Sequence, residues 1–213
     1  MKILILGYSD FVKRRILPIL EKKFKNFSIG ICSRSTKKPK LNFTWFRNYE
    51  ESIKIFKPDI VYISLPNSMH FKYGMLALKN NANVIIDKPI TLSLIELKLL
   101  VRLAIKKRKL IAEAIIFNYH NQFSKALEIL KTKKNIQMII SNFTIPIPDK
   151  NNIKMSSILG GGVNNDMGPY LAALIRIFFN DINFSLNVNY KKKSVVENLT
   201  CLVSKKNVSL FSY

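Results

Sequence analysis

The stretch DIVYISLPNSMHFKYGMLALKNNANVIIDKPITLSLIE, from Asp59 to Glu96, constrains the fold of this chain most. Residues 59–64 read as an apolar strand, Pro66-Asn67 as a turn, and residues 68–80 as a helix. Residues 83–87 form a second apolar strand, which runs into Asp87-Lys88-Pro89. Two parallel strands need a long crossover, so strand, helix and strand make a parallel βαβ unit. In open α/β sheets, ligands gather at the carboxyl ends of the strands. Pro66-Asn67 and Asp87-Lys88-Pro89 both fall at such ends, which puts Lys88 where a ligand would lie.

The flanking sequence repeats this rhythm. Strands are expected at residues 2–7, 27–33, 43–46 and 110–114, and helices at 11–23, 50–56 and 93–107. Such alternation implies an α/β fold with a doubly wound parallel sheet covered on both faces. After Ala114 the pattern changes. A helix at 119–130 precedes a long alternating strand at 136–146, and a glycine turn at 160 leads into a helix reaching 179. Strand-like runs follow at 182–190, 194–203 and 208–213. This implies a second, α+β domain with a mainly antiparallel sheet, dividing the chain into residues 1–115 and 116–213.

Composition narrows the function classes. At 48% hydrophobic and 11% aromatic residues, the chain is globular rather than disordered. It has no run of eighteen apolar residues, so no membrane span is expected. The start, MKILILGYSD, lacks the features of a signal peptide. Cys32 and Cys201 lie far apart and neither belongs to a C-x-x-C pair, so neither metal nor redox chemistry is suggested and a cytoplasmic location is expected. The net charge of +22 arises from 35 Lys+Arg against 13 Asp+Glu. Its lysines are scattered rather than set in a stripe with aromatics, so the excess reads as compositional bias and no nucleic-acid partner is expected.

The first turn, Gly7-Tyr8-Ser9-Asp10-Phe11-Val12, keeps only the first glycine of the G-x-G-x-x-G dinucleotide fingerprint. Ser9 is small enough for close approach and its hydroxyl can donate to phosphate. Val12 should push the following helix outward, and Asp10 brings a negative charge that must point away from any pyrophosphate. The second strand ends Cys32-Ser33-Arg34-Ser35, without the carboxylate that binds the ribose hydroxyls of NAD. Arg34 offers a planar fork to a 2′-phosphate, and Ser33 and Ser35 offer hydroxyls. NADP is therefore favoured, with NAD possible.

Ser64-Leu65-Pro66-Asn67-Ser68-Met69-His70 and Asp87-Lys88-Pro89 resemble, at this separation, two motifs of the Gfo/Idh/MocA family of NAD(P)-dependent oxidoreductases. Those motifs are Thr/Ser-x-Pro-Asn-x-x-His and Glu-Lys-Pro, with Asp87 here replacing the glutamate. The resemblance implies that Lys88 lies by the nicotinamide and touches the reacting oxygen. Pro89 fixes the backbone after it and allows a cis Lys88–Pro89 bond. It implies cofactor contacts from Gly7, Ser9, Phe11, Ser33, Arg34, Ser35, Pro66, Asn67, His70, Asp87 and Lys88. His70 reads as a helix-start residue, more structural than catalytic.

Gly160-Gly161-Gly162-Val163-Asn164-Asn165-Asp166-Met167-Gly168-Pro169-Tyr170 resembles the family's second site segment. The resemblance sets Asp166 against substrate hydroxyls and Tyr170 at the acid/base position, where many members have histidine. Four residues apart, the two would share one helical face. Glu113, Ala114 and His120 match the family's inter-domain segment, whereas Asn118 and Asn121 replace its arginine and proline.

The implied function is hydride transfer between a nicotinamide cofactor and a carbinol or keto carbon of a sugar or nucleotide-linked sugar. Lys88, Tyr170 and Asp166 are the expected catalytic residues. The alternative is a non-catalytic or decayed member acting as a binding or scaffold subunit. Measured against the family, the second domain looks truncated. A homo-oligomer through its sheet is expected, with Val208, Leu210 and Phe211 on an unprotected edge.

Overall fold

The computed structural model describes residues 1–34, 43–132, 138–141, 143, 146, 149, 152–178, 185–192, 195–205 and 208–212. The chain divides into two compact units, Met1–Ala114 and Ile115–Tyr213.

The first unit is built on strands β1 (Lys2–Leu6), β2 (Ser28–Cys32), β3 (Thr44–Phe46), β4 (Ile60–Ile63), β5 (Asn83–Ile86) and β6 (Ile111–Glu113). All five strand pairings are parallel, in the order β3-β2-β1-β4-β5-β6. This is the doubly wound parallel sheet expected from the sequence, and its order puts the switch point between β1 and β4. Helices α2 (Tyr49–Phe56), α3 (His70–Lys79) and α4 (Leu94–Lys107) are joined to one face through the core of Leu4, Leu6, Ile53, Ile63, Leu78, Ile86 and Leu100. Each such buried aliphatic side chain contributes about 1.5–3 kcal/mol. Helix boundaries follow capping chemistry. Asn48 accepts from the Glu50 and Glu51 N–H groups to start α2, and Ser93 accepts from Glu96 N–H to start α4.

The opposite face holds a smaller cluster, in which Val12 and Leu17 pack on Ile5, Ile31 and Tyr62. The expected helix over 11–23 has two parts, a wide π-type turn at Val12–Ile16 and helix α1 at Leu17–Lys23. Pro18 has no N–H to give to the Arg14 carbonyl, which breaks the α-helical ladder at this point. Cover on this face is thinner than the sequence implies, since Ile85 of β5 is 37% exposed.

The second unit holds α5 (Asn121–Lys131), α6 (Val163–Asp166), α7 (Gly168–Phe178) and strands β7 (Met138–Ser141), β8 (Ser185–Lys192), β9 (Val196–Lys205) and β10 (Val208–Ser212). The sheet order is β7-β10-β9-β8. The β8–β9 and β9–β10 pairs are antiparallel, while β10 and β7 are parallel. This corrects the expectation of an unprotected final edge. The stretch Val208–Ser212 is an interior strand, with Leu210 registered against Ile139 on one side and Val203 on the other. The pairing with β7 spans some seventy residues, so no local pattern announces it.

Candidate active site

Gly7 closes β1 at φ +102°, and its N–H donates to the Cys32 carbonyl at 2.9 Å. A Cβ here would lie 2.1 Å from the Ser64 carbonyl oxygen. Glycine is required because the first turn touches the end of β4, as well as for its conformation. Ser9 makes the same link through its side chain, with its Oγ 2.9 Å from Ser64 Oγ and accepting from Val12 N–H at 3.2 Å. Asp10 points into solvent and pairs with Lys13 at 3.1 Å and Arg14 at 3.5 Å. The Lys13 ammonium, then Arg14, holds its carboxyl below the usual carboxylate range. The charge that threatened the turn is therefore matched locally. Phe11, partly exposed, precedes the wide turn.

At the end of β2, Ser33 is buried and its N–H donates to the Phe46 carbonyl at 3.0 Å. Arg34 is exposed and lies against Tyr49. Burial raises the Tyr49 phenol, and the Arg34 guanidinium pulls it back. Ser35 lies outside the described residues. The described donors are a cation and a hydroxyl, a set that suits a phosphate rather than a diol.

Two turns at the ends of β4 and β5 meet through one side chain. His70 is fully buried, with Nδ1 2.7 Å from the Pro89 carbonyl oxygen and Nε2 2.8 Å from the Leu65 carbonyl oxygen. The Pro66 carbonyl accepts from Met69 N–H at 2.8 Å, closing the turn that carries Asn67. The Lys88–Pro89 bond is cis. Asp87 accepts a short hydrogen bond from the Tyr62 hydroxyl, and burial, then the Asp87 charge, raises that phenol. Glu113 Oε1 accepts from Ile90 N–H at 2.9 Å. Lys88 thus sits on a loop tied by His70, Tyr62 and Glu113, from three different elements. Tyr62 carried no sequence signal, and Glu113 stood out only as a match to the inter-domain segment.

In the second unit, Asp166 and Tyr170 do not share one uninterrupted helix. The chain breaks at Met167, between α6 and α7, because Pro169 cannot donate to the Asn165 carbonyl. Asp166 is buried and pairs with Lys154 at 2.7 Å. The Tyr170 ring stacks on Phe143 at 5.7 Å and tilts against Phe117 at 5.8 Å. A Cβ at Gly161 would lie 2.3 Å from the Lys154 carbonyl oxygen, so this glycine allows the 152–156 turn to pack against the loop. His120 caps α5, its Nδ1 accepting from Gln122 N–H at 3.2 Å. Lys154, Phe117 and Phe143 are additions that spacing alone did not indicate.

Comparison with known proteins points one way. A dTDP-3,4-didehydro-2,6-dideoxy-alpha-D-glucose 3-reductase from Saccharopolyspora spinosa is 27% identical over 185 residues, covering 84% of this chain and 56% of that protein. A D-xylose 1-dehydrogenase (NADP(+)) from Haloferax volcanii is 27% identical over 137 residues, covering 63% of this chain and 42% of that protein. The chain therefore spans about half the length of the curated relatives it matches. The crystal structure of a 3-ketoreductase from Actinomadura kijaniata, in complex with NADP and TDP-benzene, superposes with a TM-score of 0.88 at 23% identity. That match covers 100% of this chain and 69% of the other, and shows a shared fold. A family model described as an oxidoreductase family with NAD-binding Rossmann fold matches residues 1–115, more than half of the 213 residues and the unit that carries the Gly7, Pro66 and Lys88 turns, so the chain belongs to the Gfo/Idh/MocA family.

Proposed function

We propose that this chain is the cofactor-binding and catalytic part of an NADP-preferring oxidoreductase that acts on a carbinol or keto carbon of a sugar, with a nucleotide-linked 3-keto sugar as the favoured substrate. The observation that carries this reading is the Lys88 loop, held from three elements at the carboxyl ends of β4 and β5. The names of the Saccharopolyspora and Actinomadura relatives support the sugar-nucleotide class.

In this reading residues 1–115 hold the dinucleotide. Gly7, Ser9, Phe11, Pro66 and Asn67 line the turns, while Ser33, Arg34 and Ser35 take the 2′-phosphate. NADPH would supply the hydride. Lys88 stabilises negative charge developing on the substrate oxygen, and Tyr170 donates a proton to it. Asp87 keeps a carboxylate beside the lysine, and His70 orients the loop. Asp166 accepts from substrate hydroxyls. Residues 116–213 bear the substrate and join a second copy through their sheet, which light scattering tests.

The direct test is absorbance at 340 nm during incubation with NADPH and a dTDP-linked 3-keto-6-deoxy sugar. Turnover is expected, with Lys88→Ala abolishing it and Tyr170→Phe lowering it on the order of 10²–10⁴-fold. A Lys88→Ala variant with most of the wild-type kcat would remove Lys88 from the mechanism. A folded chain that binds NADPH without turnover would favour the scaffold alternative, for which the two lost fingerprint glycines are the supporting observation.

A further inference from the structure

We propose that Lys154, outside every motif of the family resemblance, is a positioning residue that keeps Asp166 ionised and fixes it as a hydrogen-bond acceptor. This rests on Asp166 being the carboxylate that faces substrate hydroxyls. Three observations carry it. Asp166 is 9% exposed, and burial of a carboxylate favours its neutral form unless a cation compensates. The Lys154 ammonium lies 2.7 Å from Asp166 Oδ2. The Lys154 backbone is held at both ends, its N–H donating to Asn152 Oδ1 at 3.0 Å and its carbonyl accepting from Gly162 N–H at 2.8 Å. A long lysine loses much rotamer freedom when fixed, and this anchoring settles where the stem starts.

The glycine loop completes the device. Gly161 N–H donates to the Ser156 carbonyl at 2.7 Å, and Asn165 Nδ2 donates to the Gly160 and Gly161 carbonyls at 3.1 and 3.3 Å. Turn, loop and helix start are thus bound into one block, with the ion pair across it. An ionised Asp166 can only accept, so it selects a substrate hydroxyl as donor. A protonated Asp166 would donate instead and compete with Tyr170 for the role of acid.

The test is a carboxyl-carbon NMR titration of the full chain labelled with 13C-aspartate, with Asp166 assigned through Asp166→Asn. In Lys154→Met the Asp166 midpoint should rise by about one pH unit or more, and in Lys154→Arg it should stay near wild type. If Lys154→Met does not fold, Lys154→Gln gives the same readout. A midpoint unmoved by loss of the ammonium overturns the proposal. With the dTDP-linked 3-keto sugar, Lys154→Met should raise KM at least tenfold below the new midpoint and recover above it, whereas a merely structural role would lower Tm and leave the pH profile in place. A shifted midpoint in a chain whose wild type shows no turnover would count against the reductase reading and leave the ion pair standing.

Discussion

His70 Nδ1 lies 2.7 Å from the Pro89 carbonyl oxygen, joining the first turn of α3 to the loop that carries Lys88. Its other nitrogen meets the Leu65 carbonyl at 2.8 Å, so one buried ring ties together the two turns at the ends of β4 and β5. Both partners accept, so both bonds form together only on the doubly protonated ring, and a neutral ring keeps one. His70→Ala leaves two buried carbonyls without this partner and opens a cavity. The expected cost is about 3 kcal/mol in urea unfolding. A loss under 1 kcal/mol would mean that the bridge contributes little.

Gly7→Ala should be more damaging than its size suggests. The added methyl meets the Ser64 carbonyl at 2.1 Å with φ at +102°, so the ends of β1 and β4 must separate. The expected loss is about 3 kcal/mol, together with loss of NADPH binding even where the variant is folded. Differential scanning calorimetry and cofactor titration on one preparation check both. Wild-type Tm with wild-type affinity would contradict the close approach.

The Cys32 thiol gives a pH signature. Burial pushes it from 9.0 up to about 11, with the Ser52 hydrogen bond pulling the other way. The folded value lies above the unfolded one, so the fold favours the thiol. This contribution is fully present below pH 9 and is lost as pH rises through 11. It amounts to on the order of 2 kcal/mol. Between pH 8 and 11, wild type should lose stability more steeply than Cys32→Ala by that amount. Parallel pH profiles would place the thiol in a more solvated site.

Much of the first unit was legible because its strands are short apolar runs bounded by turn residues. Parallel strands buried on both faces produce that pattern, and Leu4, Ile5 and Leu6 are all fully buried. The Lys88 loop was legible as a motif, but what holds it was not. The Tyr62–Asp87 and Glu113–Ile90 contacts join residues 25 and 23 positions apart, and no local spacing encodes them. The interior place of β10 was missed for the same reason. The break at Met167 was open to reading, since Pro169 stands in the sequence, but the four-residue spacing of Asp166 and Tyr170 suggested a continuous helix instead.

Cofactor choice tests the account most directly, because it needs no knowledge of the substrate. Arg34 is exposed beside Tyr49 at the end of β2, next to buried Ser33, and residues 33–38 contain no carboxylate. Calorimetric titration of the intact chain should show NADPH bound at least tenfold more tightly than NADH. Arg34→Ala should weaken NADPH by a similar factor and leave NADH nearly unchanged. Equal affinities, tighter NADH, or no binding of either dinucleotide would contradict the account.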